Sequence, residues 1–85
     1  MITGPTFIGP HAVAQFQARI APLTYEAARA AILTELRDHV VSVRASAIGR
    51  GVVARTRGGR YAFRAVLGAG TGSRPAVVTI LRSGR

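Results

Sequence analysis

His11, Gln15 and Arg19 recur at intervals of four along the stretch GPHAVAQFQAR. On a helix that spacing stacks the three side chains into one polar stripe. Histidine exchanges protons near neutral pH, and arginine stabilises the charge of a phosphate or of a phosphorane. Metal-free RNA cleavage needs these parts. A base removes the 2′-hydroxyl proton, cations hold the phosphoryl oxygens, and an acid protonates the leaving 5′-oxygen. The border of any amphipathic helix also collects polar residues, whatever they do.

A second group of chemistry-bearing residues lies in RTRGGRYAFR, residues 55–64. Gly58-Gly59 suits a two-residue hairpin turn, because glycine supplies the positive φ that such turns demand. That turn would set Arg57 opposite Arg60, Arg55 opposite Ala62 and Val53 opposite Arg64. Alternation then places Arg55, Arg57, Arg60 and Arg64 on one face with Val53, Ala62 and Val66. Val52, Ala54, Thr56, Tyr61, Phe63, Ala65 and Leu67 fall on the other, which is the core face. Arginines facing each other weaken a hairpin, whereas guanidinium forks on one plate suit phosphate oxygens. The following strand, PAVVTILR, leaves two registers open. Either Arg82 joins the charged face with Val77, Thr79 and Leu81 inward, or Val78 and Ile80 are core and Thr79 stands beside the arginines.

The elements that must position these residues follow from spacing. Residues 1–9 are extended or irregular, with a short edge strand at Thr6–Ile8. Pro10 opens a first helix, where its missing N–H costs nothing, and Ala12, Val13, Phe16 and Ile20 share its apolar side. Ala21-Pro22 ends it. Thr24 caps a second helix running to about His39, with Glu26 in its first turn. Tyr25, Ala28, Ile32, Leu33 and Leu36 form its apolar stripe. VVSVR (40–44) is either the helix end or a first strand, and SAIGRG is a connection. Segments near 51–57, 60–67 and 75–82 read as an antiparallel meander. The expected architecture is a single α+β domain over 1–85, two N-terminal helices packed on a three- to four-stranded antiparallel sheet.

Charge narrows the partner. The 85 residues carry twelve arginines, no lysine and three acids, for a net charge of +9. Glu26, Glu35 and Asp38 are the acids, and nothing acidic follows Asp38. A field of one sign points to a polyanion, either nucleic acid or an acidic protein. Without cysteine, and with His11 and His39 the only histidines, disulfides and an ordinary zinc site are excluded. GAGTGS lies between two strands rather than before a helix, so no phosphate-loop or dinucleotide fingerprint is present. No metal or other cofactor is called for. With no secretion signal, spanning stretch or lipidation signal, the expected location is the cytoplasm, away from the membrane.

The frame F-I-G-P-HA-x-x-Q-F-x-x-R, the second amphipathic helix and the closing VVTIL together resemble a group of small bacterial and phage proteins. Their pattern is S-x-HA-x-x-R-x-x-x-R, with a closing apolar-Thr-apolar strand. Those proteins in turn look like the superfamily of RelE toxins, colicin-type tRNases and barnase. The resemblance implies a RelE-like sheet and a metal-independent endoribonuclease of toxin or mobile-element type. It maps His11, Arg19 and Thr79 onto the signature positions, with Arg64 supplying the positive charge that is lost where Gln15 replaces the first arginine. Gly9-Pro10 stands in place of the serine cap. On this reading His11, Arg19, Arg64 and Thr79 are catalytic, and Gln15, Arg55, Arg57, Arg60 and Arg82 bind RNA. It also implies an acidic protein partner, such as an antitoxin or host factor, over the arginines. The alternative is a non-catalytic basic module that binds nucleic acid or an acidic host protein.

Overall fold

A computed structural model describes residues 7–45, 51–69 and 75–82. Thr6, positions 46–50 of the expected connection, positions 70–74 of the glycine-rich loop and the tail 83–85 lie outside the described residues. The elements run β1 (Phe7–Ile8), α1 (Pro10–Arg19), α2 (Tyr25–Asp38), β2 (Val40–Ala45), β3 (Val52–Thr56), β4 (Phe63–Ala69) and β5 (Pro75–Arg82). The described strands form one five-stranded sheet in the order β1-β5-β4-β3-β2.

Both helices begin where local chemistry starts them. Gly9 is extended at φ −70° and Pro10 occupies the first turn of α1. The Thr24 hydroxyl accepts the Ala27 N–H at 3.2 Å and caps α2. Ala12, Val13 and Phe16 of α1, with Ala28, Ile32 and Leu36 of α2, are buried against one face of the sheet. That face supplies Ala54, Phe63, Ala65, Leu67, Val77 and Ile80. Phe16 sits at its centre, edge-on to Phe63 (5.6 Å, 87°) and to Tyr61 (5.4 Å, 81°). Tyr25, at the head of the expected apolar stripe, is instead 43% exposed.

The fold is α+β with both helices on one side. VVSVR is strand β2, the strand reading of that segment, so β2–β5 form an antiparallel sheet of the expected four strands. The sheet departs from expectation in two ways. At the other edge β1 pairs with β5 in parallel, through Phe7↔Ala76 and Ile8↔Val77, which makes the sheet mixed. The second departure is a bulge in β5. Val66 faces Thr79 while Leu67 faces Val77, so Val78 is the extra residue. The bulge lets Val77 and Ile80 both point into the core, a combination that strict alternation forbids.

The hairpin at Gly58-Gly59 is also corrected. β3 and β4 pair as Val53↔Val66, Ala54↔Ala65 and Arg55↔Arg64, so Arg55 faces Arg64 and not Ala62. The strands separate after Thr56 and rejoin at Phe63, and Arg57 and Arg60 lie in the connection between them, not opposite each other. Tertiary hydrogen bonds outweigh the tight turn here. The Arg57 N–H donates to the His39 carbonyl at 3.0 Å, and the Arg60 N–H donates to Glu35 Oε2 at 3.2 Å. The buried Thr56 hydroxyl oxygen accepts the Phe63 N–H at 3.1 Å and closes the mouth of the connection. The register moves by an even step, so the division into faces survives. Ala54, Thr56, Phe63, Ala65 and Leu67 are buried, while Val53, Arg55, Arg64 and Val66 lie on the face away from the helices.

Candidate nucleic-acid interface

The site is built along β5. Its outer edge is covered by β1 only as far as Val77, and a strand edge left without partners exposes backbone donors and acceptors. Helix α1 takes over from there. The Gly9 N–H donates to the Val77 carbonyl at 3.4 Å, which starts α1 alongside β5. Farther along, Gln15 Oε1 accepts the Ile80 N–H at 3.0 Å, and Arg19 Nη1 donates to the Ile80 carbonyl at 3.0 Å. Two side chains four residues apart thus bond both backbone groups of one strand residue. The polar stripe on α1 is aimed at this edge, and Gln15 is part of the scaffold.

Across the sheet end, Arg64 Nε donates to the Arg82 carbonyl at 3.0 Å. Arg19, Arg64, Leu81 and Arg82 line an open cleft of about 310 Å³ with no acid among its walls. Arg19 and Arg64 each commit one N–H to a backbone carbonyl, which leaves the rest of each five-donor fork for another acceptor. A guanidinium already held in place loses less freedom on gripping an anion than one on a free side chain. Arg82 reaches this cleft from the helix-side row, because it pairs with Phe63, whereas Arg64 pairs with Leu81 on the other face. The second open register, with Ile80 in the core and Thr79 beside the arginines, holds for 79–82, and by alternation it carries Arg82 to the helix side.

The remaining expected residues spread outward from the cleft. Thr79 pairs with Val66 on the same open face as Arg64 and is half-buried. Arg55 stands directly across from Arg64, and Arg57 and Arg60 are exposed in the adjoining connection. His11 is exposed in the first turn of α1, one turn before Gln15 on the same stripe. At a rise of about 1.5 Å per residue it lies roughly 12 Å along the axis from Arg19, and it does not line the cleft.

Two residues had been given no structural or functional part by the sequence. Arg44 pairs with Val53 and so shares the open face with Arg55 and Arg64. Only the choice of strand over helix end for VVSVR could have revealed it. Glu35 is buried at 3% exposure, with Oε2 on the Arg60 amide and Oε1 without a hydrogen-bond partner among the described residues. Its position follows Ala28 and Ile32 at core spacing, a signal that its charge obscured. Of the other two acids, Asp38 is engaged by the Arg37 guanidinium at 3.1 Å on the surface. That hydrogen bond lowers the Asp38 pKa from its ordinary value. No described helix is long and apolar enough to cross a membrane. Comparison with protein-family models, curated proteins and solved structures gave no significant match.

Proposed function

We propose that this chain binds the phosphate backbone of nucleic acid, with RNA the favoured partner by the resemblance of its HA-x-x-Q-F-x-x-R frame. The cleft of Arg19, Arg64 and Arg82 grips one phosphate, and Arg55, Arg57 and Arg60 extend the positive surface along the neighbouring sheet end. The observation that carries this reading is the tethering of two guanidiniums to the carbonyls of Ile80 and Arg82, which prepares them for an anion. Phosphate contacts of this kind are indifferent to base sequence and weaken steeply with salt. Binding of a fluorescent RNA over a salt series tests it. An affinity that ignores salt would overturn it.

A second reading, metal-independent cleavage of that RNA, rests on the position of His11. It stands exposed on the stripe whose other members hold Ile80, beside the strand that carries Thr79. His11 would take the 2′-hydroxyl proton as the 2′-oxygen attacks the adjacent phosphorus, and the P–O5′ bond would break as the departing 5′-oxygen takes a proton from His11 or from water, giving a 2′,3′-cyclic phosphate and a 5′-hydroxyl. The spacing along α1 makes the scissile phosphate a neighbour of the one gripped in the cleft, not the same one. Thr79 and Arg64 face the side of the sheet away from α1, so the RNA would pass around the β5 edge to meet them. On this reading the protein is a RelE-like ribonuclease of toxin or mobile-element type, held in check by an acidic partner. EDTA-resistant cleavage that disappears in His11→Ala tests it. Undiminished cleavage by the variant would remove the mechanism.

A further inference from the structure

The sheet ends at β2, and the far side of β2 has no strand partner among the described residues. Such edges are usually blunted by proline, by inward charges or by cover from another element. β2 has a bulge at Val41, between Val40↔Thr56 and Ser42↔Arg55, and beyond it Ser42–Ala45 pair regularly and leave an exposed outer edge. Val41 is 54% exposed and Val43 is 47% exposed. Pairing with β3 fixes the two sides of the strand. Val43 faces with Ala54 toward the helices, whereas Ser42 and Arg44 face with Arg55 and Val53 toward the open side.

We infer that the outer edge of β2, without a strand partner among the described residues, receives an extended acidic segment of a partner protein, which adds to the sheet as a further antiparallel or parallel strand. Backbone hydrogen bonds to the edge would supply affinity, and alternate side chains would supply selectivity. The occupant is specified from both faces. Residues falling on the helix side must be apolar, to cover Val43 and extend the floor under the helices. Residues falling on the open side must be acidic, because Arg44 lies there on the edge strand itself. An alternation of acidic and apolar residues is therefore the matching pattern. A second copy of this chain is a poor occupant, since it would bring two proteins of net charge +9 edge to edge. RNA is a poor one too, because it offers neither a strand backbone nor apolar side chains for Val41 and Val43. The β2 edge is separate from the cleft, whose lining residues Arg19, Arg64, Leu81 and Arg82 belong to α1, β4 and β5, with β3 lying between β4 and β2.

The test uses the full chain and three peptides: alternating valine and glutamate, the same composition in two blocks, and alternating valine and lysine. Affinity is read by fluorescence anisotropy, and the site by hydrogen exchange of the backbone amides of 41–45. The alternating acidic peptide should bind at least about tenfold tighter than the block peptide, and the lysine peptide should not bind. Exchange at 41–45 should slow by about tenfold or more at saturation. Arg44→Glu and Val43→Lys should each weaken the complex about tenfold or more, and their unchanged thermal melting would show that both variants fold. Equal binding of the block peptide, or binding without protection at 41–45, would overturn the proposal. So would protection of these amides by RNA, or by self-association of the chain alone in sedimentation.

Discussion

Gln15 Oε1 accepts the backbone N–H of Ile80 at 3.0 Å, and through that bond a helix side chain does the work of a missing strand. The contact joins residues far apart in sequence and locks α1 to β5, the strand that carries half of the arginine cleft. Gln15→Ala leaves the Ile80 amide without an acceptor at a part-buried position. The expected cost is about 1–2 kcal/mol of unfolding free energy, read by chemical denaturation. Gln15→Glu, which keeps an acceptor oxygen, should retain most of that stability. Loss of stability in both variants to the same extent would mean that the hydrogen bond is not the cause.

The carboxylate of Glu35 fixes the connection between β3 and β4 through the Arg60 amide. Glu35→Ala removes that acceptor and opens a void beside Gly59, so a loss of about 1–3 kcal/mol is expected in thermal or urea melts. Glu35→Gln keeps an oxygen for the amide and should cost less. The contrast between the two variants separates hydrogen bonding from packing.

The paired glycines differ in what they do. Gly58 has φ +94° and open space around its Cα, so Gly58→Ala costs only backbone strain, about 1–2 kcal/mol. Gly59 passes so close to Glu35 Oε1 and His39 Cδ2 that an added Cβ collides with both. Gly59→Ala should therefore lower the melting temperature more than Gly58→Ala. The reverse order would mean that the connection does not pack on α2 as described.

His11 carries the cleavage reading and makes no hydrogen bond that the scaffold needs. His11→Ala should leave RNA affinity within about twofold and abolish cleavage, because removing an exposed side chain in a first turn rarely exceeds about 0.5 kcal/mol in stability. A variant that keeps cleaving at the parent rate in EDTA would leave binding as the sole activity.

Much of the fold was legible because it is local. Pro10 and Thr24 mark the helix starts, and the alternation of 52–56 and 63–67 separates core from arginines even though the turn between them was misjudged. What escaped depends on distant partners. The wider connection exists because Glu35 and His39 hold the amides of Arg60 and Arg57, and no pattern within 55–64 announces them. The bulge at Val78 reconciles two registers that alternation alone treats as exclusive. At the site, the sequence grouped Arg19 with Arg64 by resemblance, and the cleft adds Arg82 to them. It also assigned Gln15 to the ligand, and the structure adds a second task, since Gln15 Oε1 holds the Ile80 amide.

The prepared cleft is tested most directly by comparing the salt dependence of RNA binding in the parent, Arg64→Ala and Arg29→Ala, a charge-matched change on α2. If Arg64 grips a phosphate, its variant loses about one unit of the log–log salt slope and binds several-fold more weakly, while Arg29→Ala keeps the parent slope. Equal losses in the two variants would show that bulk charge alone attracts the RNA, and the cleft would have no special part in binding.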